Sequence, residues 1–191
     1  MFFYRLIHDY NIMLLKIILL ICINRANTSN IFNKVNQYFN KNKKQECICT
    51  IFFTPYDDCT QEIVNQIDNA KHEILILSFA FTCNKIQEAL CRAKARGVKI
   101  IILMDKKYIR HEVVIKMSEA EIPIYIDKIR SHAHNKVMII DDEIVLTGSF
   151  NFTYNAQHGN TENSVHIESK SVAKQYKKYF YKRLNEKYKL K

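Results

Sequence analysis

Glycine and proline are scarce: the chain has three glycines and two prolines in 191 residues. Tight turns depend on these residues, so a loop-rich all-β fold is disfavoured. No internal repeat is present at any period, which excludes a solenoid or a duplicated domain. No apolar run reaches the roughly 20 residues of a transmembrane helix. The longest, over 12–23, is interrupted by Lys16. Cys47-Ile48-Cys49 lacks the two-residue spacer of zinc ribbons. Cys83 before an expected helix and Cys91 within it read as small buried hydrophobes.

What is present suits one globular domain with an extension: 48% hydrophobic and 25% charged residues in 22.6 kDa. The net charge of +10 is unevenly spread. Residues 1–26 contribute +2, residues 27–169 balance 17 basic against 17 acidic side chains, and residues 170–191 contribute +8. Segment 1–26 reads as a signal peptide or an N-terminal anchor, giving an expected secreted or periplasmic location, with membrane association as the alternative. Export would let Cys59 pair with Cys47 or Cys49. Residues 27–46, rich in Asn and Lys, read as a linker, and 47–191 as the domain, with a basic helix over 170–191.

Strand and helix patterns alternate through that domain. Thr50-Ile51-Phe52-Phe53 is strand-like, and Asp58 with Gln61 marks a helix start whose inner face is Ile63, Ile67 and Ala70. A buried strand is expected over 73–80, a helix from Asn84 to a stop at Gly97, and a strand over 98–104. A helix over 108–120 and a strand over 122–126 follow. Two strands, 136–140 and 144–147, flank the turn Asp141-Asp142-Glu143, and one more is expected over 164–168. Val172, Tyr176, Tyr179, Phe180 and Leu184 share one face of the last helix. The alternation predicts an α/β fold with a mixed, largely parallel sheet flanked by helices.

The chemistry concentrates in His134-Asn135-Lys136, Asp141, Gly148-Ser149-Phe150-Asn151 and Glu162. If Lys136 opens a strand, His134 and Lys136 project to one face. A neutral imidazole can attack phosphorus while a lysine ammonium stabilises phosphate oxygens. Ser149 and Asn151 share a parity and can donate to those oxygens. Glu162 can hold one ring nitrogen of His134 so that the other faces a substrate. His132 shares parity with His134, so a metal pair completed by Asp141 or Asp127 is the competing reading. His158 and His166 read as surface or structural residues.

These residues resemble the phospholipase D superfamily, whose signature is His-x-Lys-x4-Asp followed by Gly-Ser-x-Asn. The chain matches it with His134, Lys136 and Asp141, then Gly148, Ser149 and Asn151. Phe53-Thr54-Pro55, Ser78-Phe79-Ala80-Phe81-Thr82, Ala95-Arg96-Gly97-Val98 and Thr161-Glu162-Asn163 extend the likeness. The chain is similar to short bacterial members with one motif, the rickettsial-type secreted phospholipases D and the small periplasmic endonucleases.

The resemblance implies a metal-free phosphodiesterase with no cofactor and a phosphohistidine intermediate at His134. It implies Asp141 as a supporting member of the catalytic set. Because two motifs build one site in the family, it also implies a homodimer with the site on its two-fold axis. A phospholipid membrane is the expected substrate. Nucleic acid is the alternative, and an inactive binding module the third reading.

Overall fold

The computed structural model describes residues 47–189. The expected leader over 1–26 and the linker over 27–46, with Cys22, lie outside the described residues. In chain order the elements are β1 (Ile48–Phe53), α1 (Cys59–Asn69), β2 (Glu73–Ser78), α2 (Asn84–Ala95), β3 (Lys99–Met104), a 3-10 turn (Lys106–Tyr108) and α3 (Glu112–Glu119). They continue with β4 (Ile124–Asp127), β5 (Lys136–Ile140), β6 (Ile144–Gly148), α4 (Tyr154–His158), β7 (Asn163–Glu168), α5 (Lys170–Leu184) and β8 (Lys187–Lys189). None of the described helices is long and apolar enough to cross a membrane.

All eight strands form one sheet in the order β1-β7-β6-β5-β2-β3-β4-β8. The sheet is mixed, as expected, but it is not largely parallel. Only β2–β3 and β3–β4 pair in parallel, and the other five pairings are antiparallel. The reason is local. Helices connect β2 to β3 and β3 to β4, whereas β5 returns through a loop and turns back into β6 within three residues. That turn puts Asp141 and Asp142 at positive φ (53° and 58°), a conformation that short polar side chains tolerate.

Between their end residues the central strands β2, β3 and β5 are continuously apolar, because both sheet faces are covered. On one face Ile74, Ile76, Ile102, Met104, Met138 and Ile140 pack under α1, α2 and α3. The alternate residues Leu75, Leu77, Leu103, Val137 and Ile139 pack under α5. In α1, Asp58 caps the helix by accepting from Gln61 N (2.9 Å), but the Gln61 side chain donates to Asn65 instead of completing a capping box. Ala173, Phe180 and Leu184 anchor α5, while Tyr179 is exposed and lies off the expected inner face. The basic tail is therefore not one continuous helix: it ends at Leu184, and Lys187–Lys189 pairs with β4.

No described cysteines are bridged. Cys47 and Cys49 are exposed on β1, and Cys59 is buried at the start of α1. Burial, with Asp57 and Asp58 nearby, pushes the Cys59 thiol up to about 11, so it packs as a hydrophobe. The pairing with Cys47 or Cys49 is not formed.

The junction of β2 with β5 is closed at one end by Asp141. Its carboxylate accepts from the backbone N–H groups of Lys71 (2.8 Å), His72 (2.8 Å) and Glu73 (2.9 Å). Partial burial opposes ionisation, but these three donors prevail and hold its pKa below the usual carboxylate value. Asp141→Asn leaves one acceptor for three amides and is expected to destabilise the fold by about 1–3 kcal/mol in urea denaturation. A depressed folded pKa gives stability that is present above the unfolded value, near pH ~4, and is lost as pH falls through the folded one. The gap between wild type and variant is therefore expected to close in acid.

Candidate active site

The C-terminal ends of β2, β3 and β4, the N-terminal end of β5 and the start of β7 share one edge of the sheet. Lys136 opens β5 opposite Ser78 and follows the parity of Met138 and Ile140, so it points to the face under α1–α3. His134 precedes it on the same side. The Lys136 ammonium lies 3.2 Å from His134 Nδ1 and 3.3 Å from Nε2, and it donates to the His134 carbonyl at 3.1 Å. The lysine is buried and the imidazole exposed.

The electrostatics favour the neutral forms. Desolvation, then the Lys136 and His132 charges, lower the His134 pKa, against a smaller opposing pull from Asp105. Burial lowers the Lys136 pKa, against the Glu162 carboxylate. A histidine held below its ordinary value is a free base at neutral pH, as a nucleophile must be. The lysine starts high enough to remain a cation.

Ser149, Asn151 and Glu162 reach the same edge through a second cluster. Gly148 has φ 144°, and a Cβ there would stand 2.3 Å from the Asn163 carbonyl oxygen, so only glycine lets β6 close on β7. The Ser149 hydroxyl, next in the chain, donates to Glu162 (2.5 Å) and accepts from Asn163 N (3.0 Å). Asn160 Nδ2 holds the other Glu162 oxygen at 2.9 Å. Asn151 keeps its Oδ1 buried and without a partner.

Two expected roles need correction. Glu162 does not hold the His134 ring of its own chain. It starts the loop into β7, and β6 intervenes between β7 and β5, so its bonds go to Ser149 and Asn160. Asp141 keeps the expected supporting role but has no place in the site: it lies at the far end of β5, roughly 17 Å along the strand from Lys136, where it braces the amides of 71–73. The alternative metal set is not assembled either, because Asp127 is paired with Arg183 and Asp141 is distant. His158 stacks on Tyr154, and His166 is buried against Glu62 at 3.0 Å, a structural position.

Three residues had no assigned role in the sequence. Phe79, at the end of β2, has its ring centroid 4.5 Å from that of His134 and 5.0 Å from the Lys136 ammonium, walling the pair on one side. Thr54, fully buried, accepts from Glu162 N and donates to the Asn160 carbonyl (3.0 Å each), fixing the Glu162 loop. Asp105, at the end of β3, accepts from Lys107 N (2.8 Å) and Ala133 N (2.7 Å). Phe79 and Asp105 directly follow parallel strands, the positions where α/β sheets gather ligand-facing groups, and that signal was available in the sequence.

Asp105 positions the segment that carries His134 and contributes negative charge to it. Asp105→Asn keeps one acceptor and removes that charge. The His134 pKa, followed by NMR, is expected to fall further below wild type, and the Ala133 amide to exchange faster. An unchanged titration would show that Asp105 acts on neither.

Comparison with known proteins agrees with this geometry. Residues 63–184 match the family described as "Cardiolipin synthase, PLD-like domain". A phospholipase D of Rickettsia conorii is 42% identical over 126 residues, 65% of this chain and 63% of the relative's length. A mitochondrial cardiolipin hydrolase of Xenopus tropicalis is 25% identical over 138 residues, 71% of this chain and 65% of that one. The crystal structure of Nuc, a phospholipase D family member from Salmonella typhimurium, superposes with TM-score 0.71 and 30% identity, covering 76% of this chain and 99% of Nuc. With its His134–Lys136 pair at the sheet edge and the family match over most of the described domain, the chain belongs to the phospholipase D-like family.

Proposed function

We propose that the protein is a phosphodiester hydrolase that cleaves phospholipid, such as phosphatidylcholine, to phosphatidic acid and a free head group. The observation that carries the reading is the neutral-leaning His134 imidazole held against the buried Lys136 ammonium. The rickettsial relatives named phospholipase D support the lipid substrate.

One chain offers half of the required set. His134 attacks phosphorus, a P–N bond forms and the P–O bond to the head group breaks. The leaving oxygen then needs a proton from an acid placed opposite, and His134 of a second copy fits that role in a homodimer closed on a two-fold axis. The same imidazole, now neutral, takes a proton from water, which attacks the phosphohistidine and releases phosphatidic acid. Lys136 neutralises the non-bridging oxygens throughout. In the dimer, Glu162 is the carboxylate available to a histidine across the axis. Nothing in these steps requires a metal. A nucleic-acid phosphodiester would meet the same groups and is the competing substrate. The N-terminal segment supports a secreted or periplasmic site of action.

The test offers the purified protein phosphatidylcholine vesicles and single-stranded DNA side by side, with and without EDTA. Lipid turnover that survives EDTA and falls by about 10^3-fold or more in His134→Ala is expected. Turnover of DNA alone would remove the lipase reading, and chelator sensitivity the metal-free one. The acid limb of kcat/KM is expected below pH ~6.5, since burial and Lys136 lower the His134 pKa. In a third measurement, wild-type chains are mixed with increasing His134→Ala chains and re-formed. If each site needs both histidines, activity is expected to fall more steeply than the wild-type fraction, and a fully active monomer would exclude the dimer.

A further inference from the structure

Two loops stand beside His134 on the β3–β4 side: the segment after β3 and the one between β4 and β5. Asp105 bonds them into one unit through Lys107 N and Ala133 N. Lys106, Arg110 and Arg130 are exposed on this unit, and no carboxylate of the described residues pairs with any of them. Of the carboxylates nearest in the chain, Asp105 and Asp127 are buried and already bonded, Asp127 to Arg183, and Glu112 pairs with Lys116. The balanced charge of residues 27–169 therefore conceals a local excess of cations next to the site. Between Lys128 and Arg130 stands Ile129, 42% exposed, in the loop that leads directly to His134.

We propose that this double loop docks the protein onto a bilayer containing anionic phospholipid. Lys106, Arg110 and Arg130 would meet lipid phosphates, and Ile129 would enter the boundary between head groups and acyl chains. Exposed cations gain attraction close to an anionic leaflet, and an apolar side chain set among them adds burial that bulk anions cannot offer. A lone exposed isoleucine would be unremarkable. Its flanking cations and its place in the His134 loop are what give it meaning. A single nucleic-acid strand would use the cations but needs aromatic faces on which to stack. The aromatic ring of the loop itself, Tyr108, is half-buried and packed edge-on against Phe79 (5.4 Å), which in turn packs against His132 (5.7 Å) and His134 (4.5 Å).

The purpose of docking, delivery of lipid to His134, rests on the hydrolase reading, but the binding itself does not. The experiment sediments the full chain carrying His134→Ala with vesicles of phosphatidylcholine alone or with added phosphatidylglycerol, and titrates a single-stranded oligonucleotide in parallel. Binding to the anionic vesicles only is expected. The combined change Lys106→Gln, Arg110→Gln, Arg130→Gln is expected to weaken it on the order of 100-fold at low salt. Ile129→Ser is expected to weaken it without altering its salt dependence. With His134 intact, these variants are expected to hydrolyse a soluble short-chain diester as the wild type does. Binding that survives the triple change overturns the proposal. So does binding lost instead on Lys174→Gln, Lys178→Gln, Lys182→Gln along α5, or tighter binding to the oligonucleotide than to the vesicles. Failure of the wild type to cleave the soluble diester would strike the hydrolase reading and leave the docking result standing.

Discussion

The antiparallel pairing of β2 with β5 governs the rest of the molecule. It joins a parallel βαβαβ half to an antiparallel half inside one sheet, placing Ser78 opposite Lys136 at one end and Asp141 against the amides of 71–73 at the other. Because β5 runs against β2, its first residue meets the last residues of β2 and lies at the same edge as the ends of β3 and β4. That edge is where Phe79, Asp105 and His134 come together. A one-residue slip would turn Lys136, and His134 with it, to the α5 face and away from Phe79 and Asp105, so register is the constraint on which the site rests.

Burial sets the chemistry of the pair. The apolar core under α1–α3 continues up to Lys136, and desolvation is the largest influence on both the lysine and the histidine. The two groups then act on each other: a retained ammonium within 3.2 Å makes the imidazole harder to protonate. The same low-dielectric surroundings explain why several carboxylates of the domain serve structure. Asp105, Asp127 and Asp141 accept from backbone amides or a guanidinium, and Glu162 is held by Ser149 and Asn160. With those charges satisfied internally, Lys106, Arg110 and Arg130 of the loops near His134 pair with no carboxylate of the described residues.

One of the few glycines stands where two backbones must approach. Gly148 lets β6 lie against Asn163, which sets Ser149 beside Glu162, and Thr54 reaches across from the end of β1 to hold the same loop. Three separate segments therefore define one carboxylate. Its separation from His134 of the same chain by an intervening strand is a direct result of the β5-β6-β7 order.

Much of this was legible in the sequence. Apolar runs marked β2, β3 and β5, since strands buried on both faces lose their alternation, and Asp58 and Gly97 marked helix ends through local backbone chemistry. The spacing of His134 and Lys136 placed both on one side because side chains alternate along an extended chain. What the sequence did not determine was everything that depends on strand order. The predominance of antiparallel pairs, the removal of Asp141 and Glu162 from His134, the exposure of Tyr179 and the convergence of Phe79 and Asp105 on the site all follow from which strands become neighbours. Residue spacing fixes direction along one strand. Only long-range pairing and burial decide which side chains meet across the sheet.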